Sequence, residues 1–304
     1  MQNPPTKTLS ASSFLLSMQD LRAYGELCKP RVVALMILTS IVGMQLAVPG
    51  LVPWRIMVFG NSGIALMAFG AAAINHLIDR RIDACMRRTR NRPMPTQQLS
   101  VLQASLFAVV LTVIGFMILI LMVNILTALL TLLTFVGYAF VYTAWLKHTT
   151  PQNIVIGGLS GAMPPLLGWV AVTGQINPQA LLLVLLIFLW TPPHFWALAI
   201  YRHEDYARAE IPMLPNIYGI AYTRLQILLY VILLSIASLL PFCINMSSWI
   251  YLVAVMILNT RFFYWALKLY RHTEPKIALQ TFRFSIIYLM LLFLALLIDH
   301  WSAL

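Results

Sequence analysis

The stretch Asn75–Pro93, NHLIDRRIDACMRRTRNRP, places two aspartates and six arginines within nineteen positions. It directly follows Ile56–Ile74, nineteen residues without a single charge. A polar cluster this dense at the mouth of an apolar segment calls for a partner that stabilises charge at a membrane boundary.

The rest of the chain is mostly apolar. Of 304 residues, 61% are hydrophobic and 10% charged, and the mean hydropathy is +0.84. A soluble domain carries far more polar surface, and several runs reach the roughly 20 residues needed to cross a bilayer. The expected fold is all-α: a polytopic bundle of nine transmembrane helices around a central cavity open to the cytoplasmic side. Spans are expected near 32–48, 57–78, 102–122, 125–146, 153–173, 179–201, 222–242, 249–267 and 281–299. Asn124 alone marks the turn between the third and fourth. No composition break divides the chain, so residues 1–304 read as one domain. Residues 1–20 form a polar tail, and Leu21 to Lys29 an amphipathic lead on the membrane surface. The tail lacks the apolar core and cleavage site of a secretory signal. Cys28, Cys85 and Cys243 are scattered without a CxxC pair, so neither a thiolate metal site nor a disulfide framework is expected.

Nineteen of the twenty Lys and Arg residues fall on one side of this nine-span arrangement, leaving only Arg55 opposite. Basic loops stay in the cytoplasm, which puts the N-terminus inside and the C-terminus outside. The net charge of +11 therefore reflects topology and an anionic partner, not nucleic acid, for which no binding module is present.

Only nine acidic residues exist, and five of them, Asp79, Asp83, Glu204, Asp205 and Glu210, lie at the cytoplasmic ends of two spans. Asn75, Asp79 and Asp83 are spaced i, i+4, i+8, sharing one helix face over about 12 Å. One reading is local ion pairing, for example Asp83 with Arg87. The other is a magnesium ion, which typically joins one or two carboxylates to substrate phosphates. Arg87, Arg88, Arg90, Arg92 and Lys147 would then neutralise a diphosphate, with the arginine fork suited to its oxygens. The acids sit at helix ends, so their exchange for asparagine is expected to stop turnover and spare folding. Asp299, on the far side, is expected to matter little.

NxxxDxxxD followed by MRRTRNRP resembles the first motif of the intramembrane aromatic prenyltransferase superfamily. CKPRV at Cys28 to Val32, YTAWLKHTTPQNIVIGGLSGAMPPLLGWVAVTG at Tyr142 to Gly174, and WTPPHFWALAIYRHEDYARAEIPMLP at Trp190 to Pro215 are similar to blocks of its heme O synthase branch. The resemblance runs from about residue 25 to the last span. It implies a bacterial inner-membrane enzyme that transfers a farnesyl group from farnesyl diphosphate to a vinyl group of heme b. It also implies membrane lipid as surroundings, and a heme-handling protein or heme A synthase as partner. Asn75, Asp79, Asp83 and, from the second motif, Asp205 are implied to bind magnesium diphosphate. Arg87, Arg88, Arg90, Arg92 and Lys147 match the basic positions near the phosphates. Arg81, His148 and Glu210 depart from the pattern, Glu210 standing where glycine or another small residue is common. Arg208 joins the substrate-binding candidates.

Other residues carry open alternatives. Tyr142, Trp145, Phe195 and Trp196 are either cavity aromatics that stabilise an allylic cation or interfacial belt residues. His194 either meets the heme or bonds backbone freed by a break at Pro192–Pro193. Arg261 either faces the cavity or snorkels. The glycines of GGLSGAMPPLLG either allow close packing alone or line a channel for the prenyl tail, and Pro164–Pro165 is expected to kink span five. Two rival functions remain: the same chemistry on a quinone precursor, and a transporter. The clustering of acids at one face rather than the midplane argues against the transporter.

Overall fold

The computed structural model describes residues 18–302, and every described element is helical. A short helix α1 (Met18–Leu27) leads into α2 (Pro30–Leu46), the two bent by 47°. Then follow α3 (Trp54–Cys85), α4 (Val101–Met122), α5 (Ile125–Thr149), α6 (Asn153–Thr173) and α7 (Pro178–Tyr201). Two short helices, α8 (His203–Arg208) and α9 (Leu214–Ile217), precede α10 (Ile220–Cys243), α11 (Trp249–Arg271) and α12 (Pro275–Ser302). Among the described residues, eight helices are long and apolar enough to cross a membrane, or nine if the bent pair α1–α2 counts as one span. The expected spans are all present. The polar tail up to residue 17 lies outside the described residues.

The boundaries follow local chemistry. Pro30 opens α2 at a position where its missing N–H costs nothing. Ser100 and Gln103 form a reciprocal capping box at the start of α4. Asn124 accepts from Thr127 N–H at 2.8 Å to start α5, while its amide donates to the Val170 carbonyl at 3.0 Å on α6. The turn that the sequence marked by one residue is thus fixed by that residue. Met163 separates α6 into two segments just before Pro164, but its backbone stays helical (φ −70°, ψ −26°), and the two run on as one span. Pro192 and Pro193, by contrast, do not break α7, which runs on to Tyr201. Packing on α12 holds it there: Trp190 donates to the Ser285 carbonyl at 2.7 Å and His194 pairs with the Ser285 hydroxyl at 2.7 Å.

The outer surface is apolar, with Leu106, Val109, Leu121, Leu133, Ile257 and Ile287 all exposed, as lipid requires. Contact between helices comes from small residues. A Cβ on Gly43 would lie 2.1 Å from the Pro165 carbonyl oxygen, and one on Gly168 would lie 2.1 Å from that of Ser40, so α2 and α6 touch backbone to backbone. Helix α1 does more than lie on the membrane surface. It buries Ala23 and Leu27 against Ala73 and Leu77 of α3 and Met94 and Leu99 of the following loop.

Asp299 is a structural residue. Although it sits far from the other acids in sequence, it is buried and accepts from Ser248 N–H at 2.6 Å, from Tyr251 N–H at 3.0 Å and from the Ser248 hydroxyl. A carboxylate from α12 thus caps the positive end of α11. Asp299→Ala is expected to lower stability by about 1–3 kcal/mol through the lost charge-assisted bonds. Turnover per folded molecule should not change. A thermal melt in detergent alongside a specific-activity assay checks both halves.

Candidate active site

Cations from the α1–α2 bend, the loop after α3 and the end of α5 meet at the end of α3. There the long α3 carries Asn75, Asp79 and Asp83 on one face, all buried, the two aspartates 3% exposed each. Burying two carboxylates demands partners, and each has a cation. Lys147 donates to Asp79 Oδ2 at 2.6 Å. Arg92 Nη1 bridges both oxygens of Asp83, at 3.0 and 2.8 Å. Asn75 links the set: its amide donates to Asp79 Oδ2 at 2.9 Å and to Thr143 Oγ1 at 3.1 Å, and its carbonyl accepts from Lys29 Nζ.

Each cation arrives for a local reason. Met86 leaves α3 in an extended conformation, and turns through residues 86–98 fold the RTRNRP segment back over the helix end. Thr89 secures this fold by donating to the Asp83 carbonyl at 3.0 Å. Arg92 therefore reaches a carboxylate nine residues earlier, whereas Arg87, the expected i+4 partner of Asp83, stays exposed and joins no carboxylate among the described residues. Arg88 and Arg90 are likewise exposed. Lys147 comes from α5, whose Gly137–Leu146 stretch is wound as a π-helix. The wider turn shifts register, with Thr143 donating to the Tyr138 carbonyl five residues back at 2.8 Å while accepting from Asn75. Such turns recur at functional sites. Lys29 sits in a left-handed conformation, φ 48°, at the α1–α2 bend.

Asp205, 6% exposed, stands on α8 with its own cations, Arg208 at 3.1 Å and Arg202 at 3.6 Å. Among the described residues no three His, Cys, Asp or Glu side chains converge as a ready-made metal centre. The two acidic groups are connected by charge: Arg88 feels Arg92 and Asp83 on one side and Tyr206 and Arg202 on the other. Burial pushes the Tyr206 phenol above its usual range, against the opposing pull of Arg88 and Arg202.

The cluster is built for an anion. Lys29, Arg88, Arg92 and Lys147 outnumber Asp79 and Asp83 by two. A buried oxygen is also left over, since Asp79 Oδ1 has no hydrogen-bond partner among the described residues. An oxygen-seeking divalent cation suits that atom and the two buried carboxylates, and an anion arriving with it would offset the surplus positive charge. Magnesium therefore fits the residues present.

Several candidates lie elsewhere. His194 is buried, stacked between Trp190 and Phe282 at centroid distances of 4.2 and 4.6 Å, and its Nδ1 is used by Ser285 rather than by freed backbone. Arg261 is exposed and rests over Tyr264 and Trp265, at 5.1 and 5.4 Å, away from the acids. Trp145 and Phe195 are exposed and Trp196 is fully buried against Tyr230, whereas half-buried Tyr142 stacks on Tyr138 at 5.7 Å beside the acids. Glu210 is exposed with φ 53°, a conformation that favours glycine. Lys29, Thr143, Tyr206 and Arg202 were not singled out by spacing. The CKPRV block held the one signal for Lys29. His76, which spacing does not single out either, is 1% exposed with neither ring nitrogen bonded among the described residues.

Known proteins share both sequence and shape with this chain. Residues 36–297 match the UbiA prenyltransferase family. A protoheme IX farnesyltransferase of Legionella pneumophila (strain Paris) is 62% identical over 282 residues, covering 93% of this chain and 96% of that relative. One from Marinobacter nauticus is 59% identical over 280 residues, covering 92% and 93%. Among solved structures, a digeranylgeranylglyceryl phosphate synthase superposes with a TM-score of 0.78 at 20% identity, covering 94% of this chain and all of that one. A UbiA homolog from Archaeoglobus fulgidus bound to DMAPP and Mg2+ gives 0.63 at 15% identity, covering 90% and 99%. With a match across most of its length, and relatives this similar over nine-tenths of it, the chain belongs to the UbiA prenyltransferase family.

Proposed function

We propose that this protein transfers the farnesyl group of farnesyl diphosphate to a vinyl group of heme b. The whole chain, 1–304, is read as one such domain in a bacterial inner membrane, N-terminus in the cytoplasm. The observation that carries the reading is the buried Asn75–Asp79–Asp83 ladder with its surplus of cations, beside relatives named for this transfer.

In the reaction the C1–O bond of the donor breaks and its electron pair leaves with the diphosphate. The resulting allylic cation forms a carbon–carbon bond with the terminal vinyl carbon. Water then adds to the remaining vinyl carbon and loses a proton, leaving the hydroxyl of a hydroxyethylfarnesyl substituent. Magnesium, when bound, would neutralise charge developing on the leaving diphosphate; Asn75, Asp79, Asp83 and Asp205 are the residues that would hold it. Lys29, Lys147, Arg88 and Arg92 hold positive charge fixed around the leaving group, where low dielectric raises its value. Arg87 and Arg90 from the loop after α3, and Arg208 from α8, contribute from the surface. Tyr138 and Tyr142 present ring faces beside the acids, a setting in which a cation is stabilised.

The prenyl tail needs an apolar wall. A groove of about 430 Å³ runs along α2 and α3, lined by Pro30, Val33, Ile37, Ile41, Ala65 and Phe69. Its Pro30 end is one residue from Lys29, so a chain lying there would have its head beside the cations. A heme-handling protein or heme A synthase is the partner class that would supply the acceptor or take the product.

The test is direct. Purified protein with farnesyl diphosphate, heme b and magnesium should yield farnesylated heme by mass spectrometry, and chelation of the metal should stop it. Product on a quinone precursor but none on heme b would overturn the acceptor assignment.

A further inference from the structure

The hairpin joining α11 and α12 lies outside the site described above, and its charge is unspent. Residues 261–283 contain Arg261, Lys268, Arg271, Lys276 and Arg283 against the single acid Glu274. Among the described residues, no ion pair joins any of these five cations to a carboxylate. Lys268, His272, Glu274, Lys276, Ile277 and Gln280 line an open cleft of about 250 Å³ between the end of α11 and the start of α12.

The position of this cleft narrows what could fill it. Helix α11 is 23 residues long, about 34 Å, close to the thickness of the hydrocarbon core, so its last turn stands at the membrane boundary. The buried stripe of α11, including Tyr251, Val255, Leu258, Phe262, Ala266 and Leu269, packs inward. Arg261 and Tyr264 stand on the opposite, exposed side. Lys268 Nζ lies 5.3 Å from the Trp265 ring centroid and 5.9 Å from that of Tyr264, on the same rings that Arg261 covers. A ladder of cation, aromatic pair and cation therefore descends from the cleft into the lipid-facing surface. Arg261 is about 10 Å deeper than Lys268 along the axis. An exposed guanidinium at that depth is costly unless an anion is drawn towards it.

We propose that this hairpin is a binding site for an anionic phospholipid. Lys268, Lys276 and His272 take the phosphate-bearing headgroup in the cleft, and the Tyr264–Trp265 face carries the upper acyl chain. Basic pockets between transmembrane helices at the cytoplasmic side recognise such headgroups. A soluble anion would use the cleft but leave the ladder and Arg261 unexplained, and that favours the lipid.

Native mass spectrometry of the full-length protein, released from detergent with dioleoyl phosphatidylglycerol or dioleoyl phosphatidylcholine, tests this. Wild type should retain phosphatidylglycerol preferentially. Lys268→Gln/Lys276→Gln should weaken that retention roughly 30-fold, as expected for two interfacial cations. Arg22→Gln/Arg31→Gln, which removes two exposed charges elsewhere, should leave it unchanged. Lys268→Arg/Lys276→Arg should retain binding and guards against misfolding as the cause. Equal retention of the two lipids, or an equal effect of both Gln pairs, would overturn the proposal. So would displacement of the lipid by millimolar inorganic phosphate, which would make the cleft a free-anion site.

Discussion

Asp79→Asn is expected to lower turnover per folded molecule by at least about 10²–10³-fold, the usual cost of removing one preorganised electrostatic group. The amide keeps the shape of the carboxylate and can still meet Asn75, but it has lost the negative charge and so holds a divalent cation far more weakly. The structure adds a second consequence that position at a helix end did not imply. Asp79 is buried and paired with Lys147 at 2.6 Å, so the exchange leaves an ammonium without its partner. Breaking a buried pair from one side costs about 3–5 kcal/mol. Here the lower end applies, because the Lys147 side chain keeps 12% exposure and can turn to water. Asp79→Asn should therefore be both inactive and less stable. Asp79→Asn/Lys147→Gln separates the two effects: stability should return in a thermal melt, and turnover should not. Wild-type turnover in either variant would remove the carboxylate from the mechanism.

Gly168→Ala should have the largest effect on folding. The added carbon would sit 2.1 Å from the Ser40 carbonyl oxygen, a backbone atom in the middle of α2 that cannot step aside. The reciprocal Gly43 contact with the Pro165 carbonyl makes the pair a rigid crossing. Overpacking typically costs about 1–3 kcal/mol, and occasionally more; two helix backbones must separate here, so about 3 kcal/mol or more is expected, with loss of folded protein on mild heating. Gly161→Ala, seven residues earlier in the same block, is the control. Nothing lies within 4 Å of a Cβ there, and alanine is the better helix former, so stability should hold or rise slightly. Size-exclusion yield after a heat step measures both. A folded Gly168→Leu variant would refute the close α2–α6 contact.

These two glycines show where the sequence stopped being informative. GGLSGAMPPLLG could be read as small residues suited to close approach, but not which of them is in contact. Gly157 meets the Tyr142 ring, Gly158 meets Thr191, Gly168 meets Ser40, and Gly161 meets nothing. That depends on where other helices lie, and composition does not encode it.

The sequence by itself determined the nine spans, the crowding of charge at one end and the helix face shared by Asn75, Asp79 and Asp83. The physical reason is that a bilayer reads apolar length and basic loops locally, and an i, i+4, i+8 series keeps one face whatever surrounds it. Only the tertiary structure decided the partners. Arg92 rather than Arg87 reaches Asp83 because a turn folds the loop back. Lys147 reaches Asp79 because α5 widens into a π-turn that no residue pattern announced. Lys29 enters the site, and Arg261 leaves it, because helix packing sets which side of a helix meets a neighbour and which meets lipid.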